Sequence, residues 1–250
     1  MTNLHATTTN ENPDRNCILL KSSEFPPLAD YAFKIAAYAT INPIESVIVE
    51  KPDPTKYLSG NSVSISKLVV NGDLAFHAKL LKAPDAESVY LATVKNRYPE
   101  IVTDPHVLIP IVVDFVYHET VVYYLHITRW TAHCGTLAEV IVMLWMARRH
   151  VDLGKLLKNF GRFLNSFHSR YPKLHHNDMN PSNVLIVGEP SLCPNFVLVD
   201  CAGLDDEVGD DVGSFLLSMD VLADGGFGAE FTELARNSFF KGYRESSEID

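Results

Sequence analysis

The residues His-Asn-Asp-Met-Asn-Pro-Ser-Asn occupy positions 176–183, and the apolar segment Phe-Val-Leu-Val-Asp follows at positions 196–200. In the first stretch the carboxylate of Asp178 precedes the carboxamide of Asn183 by five positions. The residues between them are turn formers, which bring the two side chains to one side of a loop. A second carboxylate, Asp200, ends the other stretch. These two stretches decide both the predicted fold and the predicted chemistry.

The apolar runs 184–187 and 196–199 are short and rich in β-branched residues, which is typical of strands. The segment 188–195 begins with glycine and contains two prolines, so it predicts a turn between the strands. Such a hairpin returns Asp200 toward Asn183. Because hard divalent cations prefer oxygen ligands, these two residues are candidate magnesium ligands.

Two carboxylates and a carboxamide in this arrangement suit phosphoryl transfer. In that reaction the protein mainly positions the nucleophile and the phosphate and neutralises negative charge. Asp178 is the candidate catalytic base, and Asn183 belongs to the same catalytic loop. The alternative is a polar turn in which the Asp and Asn side chains only cap the backbone.

The spacing His-x-Asp-x-x-x-x-Asn resembles the catalytic loop of the protein-kinase-like superfamily, and its His-Asn-Asp opening is most similar to choline kinases and aminoglycoside phosphotransferases. The resemblance implies an α+β, bilobal protein-kinase-like fold, with an antiparallel-sheet N-lobe and a mainly helical, shortened C-lobe. It implies ATP and Mg²⁺ as cofactors, Asp178 as the catalytic base, and Asn183 and Asp200 as magnesium ligands. It also implies that His176 is a structural residue of the loop.

Upstream, the segment 57–70 predicts a strand, a turn of small residues and a second strand. It resembles the phosphate-binding turn of small-molecule kinases, which makes Gly60, Asn61 and Ser62 candidate nucleotide-binding residues. Small side chains allow backbone N–H groups to approach phosphate oxygens. Only one glycine of the family pattern is present, and an ordinary hairpin is the alternative.

The dipeptide Asn-Gly at 71–72 is a hairpin signal, and the alternating segment 74–81 that follows predicts a strand. By resemblance Lys79 is the lysine that contacts the α- and β-phosphates, and Lys82 is the alternative candidate for this role. An orienting acid is expected because a flexible ammonium is otherwise solvated.

Glu87 is the candidate for that acid, in a helix predicted over 85–94. The alternative is a solvated acid stabilised by the helix dipole. The spacing from Lys79 to Glu87 is short for the superfamily.

Strands are predicted over 107–116 and 120–127, followed by a hinge over 128–132 in which Thr128 and Arg129 are candidate cofactor-binding residues. The segment 137–146 predicts a buried helix, because it is shorter than the roughly 20 apolar residues of a membrane span.

Farther along, apolar residues at helical spacing over 153–167 predict a long helix under the catalytic loop. Asp211 resembles the helix aspartate that binds the catalytic-loop backbone, with a plain helix N-cap as the alternative. One further helix is predicted over 230–243. The resemblance covers about residues 55–220.

The chain of 250 residues is predicted to comprise a disordered tail (1–16), an N-lobe (17–127) and a C-lobe (128–250). The net charge of −10 argues against nucleic-acid binding. The four cysteines show no paired spacing and no zinc-binding pattern with the histidines, so a reduced cytoplasmic setting is predicted. The adjacent His175 and His176 suggest a metal site, but the side chains of neighbouring residues are expected to diverge. No signal peptide is expected, and the oligomeric state is left open.

These observations predict an ATP- and Mg²⁺-dependent kinase that transfers the γ-phosphate of ATP to a hydroxyl group. Two features favour a small-molecule alcohol over a protein hydroxyl as the acceptor. The turn at Gly60 resembles that of small-molecule kinases, and position 180 is Asn where Ser/Thr kinases usually have lysine. The first alternative is a minimal Ser/Thr protein kinase. The second is a pseudokinase that serves as a binding or scaffold module.

Overall fold

A computed structural model describes residues 18–19, 46–50, 62–72, 74–82, 94–118, 121–172, 174–188, 194–201 and 209–245. The chain divides into two compact units, Met1–Ser88 with Pro110–Thr131, and Val89–Ile109 with Ala132–Asp250. The architecture is α+β, with an antiparallel sheet in the N-terminal part and mainly helices in the C-terminal part, as predicted. The lobe bounds 17–127 and 128–250 stay a prediction.

A six-stranded sheet forms the described part of the first unit. Its strands are β1 (Ile18–Leu19), β2 (Ser46–Glu50), β3 (Ser62–Val70), β4 (Leu74–Leu81), β5 (Val112–His118) and β6 (Val121–Arg129). The order across the sheet is β1-β2-β3-β4-β6-β5, in which only the β1–β2 pair is parallel. Asn71 and Gly72 connect β3 to β4 with positive φ angles of 52° and 80°, as the predicted hairpin turn requires.

The alternation of side chains along β4 explains why this sheet has one buried face. Phe76, Ala78 and Leu80 are buried, whereas His77 and Lys79 between them are half-buried. Side chains two apart lie on the same face of a strand, so the predicted alternation is confirmed.

Four α-helices and a small antiparallel sheet form most of the described second unit. The helices are α1 (Leu137–Met146), α2 (His150–Arg170), α3 (Asp211–Leu222) and α4 (Gly228–Glu245), and a kinked segment (Ala223–Phe227), in which Gly226 has a φ of 124°, joins the last two. The sheet contains β7 (Gly135–Thr136), β8 (Val184–Val187) and β9 (Asn195–Leu198), in that order. Short 3-10 turns lie at Pro99–Thr103 and Pro181–Asn183. The predicted hairpin after the catalytic loop and the predicted terminal helix are therefore confirmed.

Helix α1 begins with a reciprocal capping box. The backbone N–H of Glu139 donates to the Thr136 hydroxyl at 3.2 Å, and the Glu139 carboxylate accepts from the Thr136 backbone N–H at 2.9 Å. Two otherwise unpaired backbone donors are thereby satisfied, which explains why the helix begins where it does.

Helix α2 supplies the core of the second unit, and its buried residues recur at helical spacing. They are Leu153, Leu156, Leu157, Phe160, Gly161, Leu164 and Phe167. The ring of Phe160 lies 4.8 Å from that of Phe215 in α3 and 5.3 Å from that of Phe196 in β9, measured between centroids. Because α2 packs on both the helices and the small sheet, it fixes the loop between α2 and β8.

Two glycines let α2 and α4 approach each other closely. A Cβ atom at Gly242 would overlap the carbonyl oxygen of Lys158, and one at Gly161 would overlap that of Phe239. Neither position has room for a side chain while the helix backbones remain where they are.

The strand predicted over 107–116 begins later, at Val112, and that prediction is wrong in its first five residues. Val107 instead forms a parallel bridge with Leu198 at the edge of the small sheet. The Leu108 N–H donates to the Leu198 carbonyl oxygen at 2.8 Å, and the Leu198 N–H donates to the His106 carbonyl oxygen at 2.8 Å. Pro110 has no N–H to donate to a ladder, which is consistent with β5 beginning only after it.

The helix predicted over 85–94 lies outside the described residues except at its end, where 94–97 are helical. None of the described helices is long and apolar enough to cross a membrane.

Candidate functional site

The loop between α2 and β8 carries the predicted catalytic residues. Asn180 begins the 3-10 turn Pro181–Asn183, because its side-chain oxygen accepts the Ser182 N–H at 2.9 Å. Met179 and Pro181 are buried, while Asp178 between the buried His176 and Met179 is exposed. The loop is thus fixed by its apolar residues and presents the carboxylate of Asp178 to solvent.

Two side-chain amides hold the Asp178 carboxylate. The Nδ2 atom of Asn180 donates to Oδ1 at 3.0 Å, and the Nδ2 atom of Asn183 donates to Oδ2 at 2.8 Å. Asn183 also donates to the backbone oxygen of Asp178 at 3.0 Å. With its NH₂ group directed at Asp178, Asn183 keeps the amide oxygen as the atom suited to a cation.

The hairpin places Asp200 next to Asn183 along the backbone. The Val199 N–H donates to the Asn183 carbonyl oxygen at 3.0 Å, so Asp200 is the residue directly after this contact. Asp200 has a φ of 54°, a left-handed conformation that is uncommon outside glycine, though Asp tolerates it better than most residues. The ladder ends here, and the chain turns.

His176 connects the loop to the strand that precedes Asp200. It is fully buried, and its Nε2 atom donates to the Val199 carbonyl oxygen at 2.9 Å. Its Nδ1 atom accepts from the Asp178 N–H at 3.3 Å. Only the neutral ring makes both bonds at once, because Nδ1 must be unprotonated to accept. Burial lowers the pKa of His176, although the bond to Val199 opposes that shift. The side chain therefore has the structural position that the resemblance implied.

Asp211, the first residue of α3, binds the loop from beneath. Its Oδ2 atom accepts the His176 N–H at 2.9 Å and its Oδ1 atom accepts the Asn177 N–H at 3.0 Å. The predicted contact with the loop backbone is confirmed. The alternative N-cap is wrong for Asp211, because the cap is Asp210, which accepts from the Gly213 N–H at 2.7 Å.

A third element supports Asp211. Its Oδ2 atom also lies 3.0 Å from Nε2 of His168 in α2, and Nδ1 of His168 lies 2.9 Å from the Tyr243 hydroxyl in α4. Burial acts to raise the pKa of Asp211, but the hydrogen bonds from His168 and His176 outweigh it, so the pKa is lowered. The carboxylate is therefore ionised, and it joins α2 and α3 to the catalytic loop.

The candidate residues of the first unit lie on its sheet where they are described. Lys79 pairs with Ile65 and His126 in the centre of the sheet, and it is half-buried. Thr128 and Arg129 are the last two residues of β6, and Ser62 is the first residue of β3. Their roles toward a nucleotide stay predictions.

Three further residues that were predicted to take part in nucleotide binding lie outside the described part of the first unit. These are Gly60, Asn61 and Glu87.

Sequence reasoning missed an ion pair in the second unit between the buried carboxylate of Asp104 and the exposed guanidinium of Arg170. The Asp104 carboxylate accepts from Arg170 at 2.6 Å, from the Tyr171 hydroxyl at 2.7 Å and from the His106 N–H at 2.8 Å. Burial acts to raise the pKa of Asp104, but these donors outweigh it and lower the pKa. Asp104 lies 66 positions before Arg170, so no local sequence pattern predicts the pair.

The comparisons with known proteins found matches among solved structures alone. No protein-family model matches the chain, and no curated protein matches it either. Among solved structures, a crystal structure of the BubR1 kinase domain matches with a TM-score of 0.43 at 13% sequence identity. The match covers 68% of this chain and 49% of that one, so the chain spans about half the length of this neighbour.

Proposed function

We propose that the chain is an ATP- and Mg²⁺-dependent phosphotransferase of the protein-kinase-like superfamily, with Asp178 as its catalytic base. One observation carries the proposal. Asn183 donates to both the carboxylate and the backbone of Asp178, and its own carbonyl oxygen accepts from the residue before Asp200. The side chains of Asp178 and Asn183 are thus bonded directly, and a backbone hydrogen bond brings the residue before Asp200 to Asn183.

The donor set fits magnesium. A carboxylate on Asp200 and an amide oxygen on Asn183 are hard oxygen ligands, and no sulfur or ring nitrogen is required. When bound, the ion supplies positive charge that offsets the charge of the phosphate oxygens. Lys79 is proposed to contact the α- and β-phosphates, and Glu87 to orient Lys79. Gly60, Asn61 and Ser62 are proposed for the remaining phosphate contacts, and Thr128 and Arg129 for the adenine end.

Asp178 is suited to accept a proton. Each carboxylate oxygen accepts one amide hydrogen bond and has a further lone pair. The acceptor hydroxyl donates its proton to Asp178 while its oxygen bonds to the γ-phosphorus. The bond from that phosphorus to the bridging oxygen breaks, and ADP leaves with the bonding electrons. Asn180 and Asn183 keep the carboxylate oriented without supplying a proton of their own.

A small-molecule alcohol is the proposed acceptor. Where Ser/Thr protein kinases usually carry lysine, this chain has Asn180, and its amide is hydrogen-bonded to the catalytic carboxylate. A neutral amide in that position supplies no cation to pair with the transferred phosphate. A protein hydroxyl is the second candidate.

A cytoplasmic setting belongs to the same proposal. Within the described part of the chain, the exposed Cys134 is a free thiol. Proteins in a reducing compartment keep thiols of this kind unpaired.

The test is incubation of the chain with γ-labelled ATP, Mg²⁺ and a whole-cell extract, which is then separated into protein and small-molecule fractions. The proposal predicts a labelled compound other than ATP and phosphate in the small-molecule fraction, in an amount above that of the extract alone, and no such increase with an Asp178→Asn variant. Label in the protein fraction selects the second candidate. If Mg²⁺-ATP binds and neither fraction is labelled, the chain is a binding or scaffold module and the proposed activity is wrong.

A further inference from the structure

Three potential metal ligands converge beneath the catalytic loop, from α2, the loop and α3. Nε2 of His168 lies 3.0 Å from Oδ2 of Asp211, and Nδ1 of His175 lies 3.9 Å from the same oxygen. All three atoms lie within 4.8 Å of one another. They are separated by 7 and 36 positions along the chain (175 − 168 and 211 − 175), so no sequence pattern predicts the cluster.

The state of His175 distinguishes this cluster from a simple hydrogen-bonded pair. Its Nδ1 atom is buried and has no hydrogen-bond partner within the described part of the chain. Buried ring nitrogens are ordinarily paired, so an unpaired one calls for an explanation. An atom located among the three ligands would provide the missing partner.

The ligand chemistry selects the metal. Two imidazoles and a carboxylate suit Zn²⁺, with bonds of about 2.0–2.2 Å. In a tetrahedron of such bonds the ligand atoms lie roughly 3.4 Å apart. Two of the three separations, 3.0 Å and 3.9 Å, lie on either side of this value, and the separation of the two imidazole nitrogens is at most 4.8 Å. Mg²⁺ requires oxygen ligands, so this cluster is chemically separate from Asn183 and Asp200.

The surroundings orient the ligands for this role. Tyr243 lies 2.9 Å from Nδ1 of His168, which is the kind of outer contact that fixes a metal-binding imidazole. The side chains of His168 and His175 are 20% and 28% exposed, so a water molecule has access to a fourth position. The remaining oxygen of Asp211 stays bonded to the Asn177 N–H.

We propose that His168, His175 and Asp211 form a Zn²⁺ site that joins α2 and α3 to the catalytic loop. Without the ion, Nε2 of His168 donates its proton to Asp211 and Nδ1 accepts from Tyr243. With the ion, the ring proton is carried on Nδ1 and is donated to Tyr243, and the Nε2 lone pair binds the metal. The charge of the imidazole does not change. The site does not depend on phosphotransfer activity.

The test is calorimetric titration of EDTA-treated full-length protein with Zn²⁺, in the absence of nucleotide. One equivalent is expected to bind, and Co²⁺ in its place is expected to give the visible absorption of a tetrahedral site. His175→Ala should weaken Zn²⁺ binding at least a hundredfold. Tyr243→Phe retains the packing of the ring and should weaken binding about tenfold, the lower end for an outer contact.

His150→Ala is the matched control, because His150 begins the helix that carries His168, about 27 Å away along its axis. It should bind Zn²⁺ like the unaltered protein. The proposal is overturned if the unaltered protein binds Zn²⁺ no more tightly than His175→Ala, or if its thermal midpoint is the same with Zn²⁺ and with EDTA. Circular dichroism of His175→Ala checks that the comparison is made on folded protein.

Discussion

The His176 imidazole donates a hydrogen bond to the carbonyl oxygen of Val199 at 2.9 Å, and its other nitrogen accepts the Asp178 N–H. One buried ring thus bridges the residue before the proposed metal ligand Asp200 and the proposed catalytic base. The geometry of both acids relative to each other depends on this ring staying neutral.

Acidification is therefore expected to destabilise the fold. Burial lowers the pKa of His176 in the folded chain, whereas the unfolded value is about 6.5. As the pH falls below about 6.5, the unfolded chain binds a proton that the folded chain does not, so the free energy of unfolding decreases by up to about 1.4 kcal/mol per pH unit.

The measurement for this prediction is urea unfolding between pH 7.5 and pH 4.5, compared with His176→Gln. The amide of glutamine donates to Val199 without titrating, so the variant should show a smaller slope in this window. Equal slopes for the two proteins would remove His176 as the cause. Below about pH 4, both proteins should lose further stability, because the lowered pKa values of Asp104 and Asp211 mean that folding disfavours their protonation.

Replacement of Asp211 by alanine is expected to cost much more stability than replacement of its neighbour. Asp211→Ala removes the acceptor of two backbone N–H groups, and the loss at the buried N–H of His176 alone should cost about 1–3 kcal/mol. Asp210→Ala removes only an N-cap, at about 1 kcal/mol. Chemical denaturation of the two variants measures the difference, and equal losses would contradict the assigned role of Asp211.

The contact between α2 and α4 predicts a contrast between two glycines. Gly242→Ala forces a Cβ atom against the Lys158 carbonyl and should cost about 1–3 kcal/mol. Gly154→Ala places its Cβ atom 3.2 Å from the Ser238 hydroxyl and 3.7 Å from a Leu234 methyl, and both of these are side-chain atoms rather than backbone. Since alanine favours the helix over glycine by about 1 kcal/mol, that variant should be neutral or more stable. Thermal midpoints that fall equally would show that the helices do not pack as described.

Removal of the proposed base should abolish turnover and leave nucleotide affinity intact. Asp178→Asn keeps the size of the side chain but cannot accept the acceptor's proton, so turnover should fall about 10²- to 10⁴-fold. Ser182→Ala, a change at an exposed position of the same loop, should leave turnover unchanged. A steady-state assay with γ-labelled ATP makes the comparison. Full activity in Asp178→Asn would assign the base to another residue.

The sequence predicted the elements whose patterns are local. The β-branched runs on either side of a proline-containing turn gave the hairpin of β8 and β9, and the aromatic spacing over 153–167 gave α2. The start of β5 was wrong, because the apolar run from Val107 to Val116 has no internal signal that its first residues pair with Leu198. Apolar composition indicates a strand but does not say which sheet it joins.

Contacts between distant positions of the chain could not be predicted. The bonds that His168 makes to Asp211 and Tyr243 span 43 and 75 positions, and they exist only after three helices have packed together. The contact of Asp211 with the catalytic-loop backbone was predicted only from the family resemblance. Its neighbour Asp210 has the same side chain but caps the helix. Chemistry of the side chain alone does not separate the two.

The central claim is that Asn183 and Asp200 hold the magnesium that accompanies ATP next to Asp178. Calorimetric titration with ATP at increasing Mg²⁺ concentration tests it most directly. The unaltered protein should bind ATP much more tightly with Mg²⁺ than with EDTA, and Asp200→Asn should lose that dependence. ATP affinity that is the same with EDTA, or a magnesium effect that persists in Asp200→Asn, would contradict the claim.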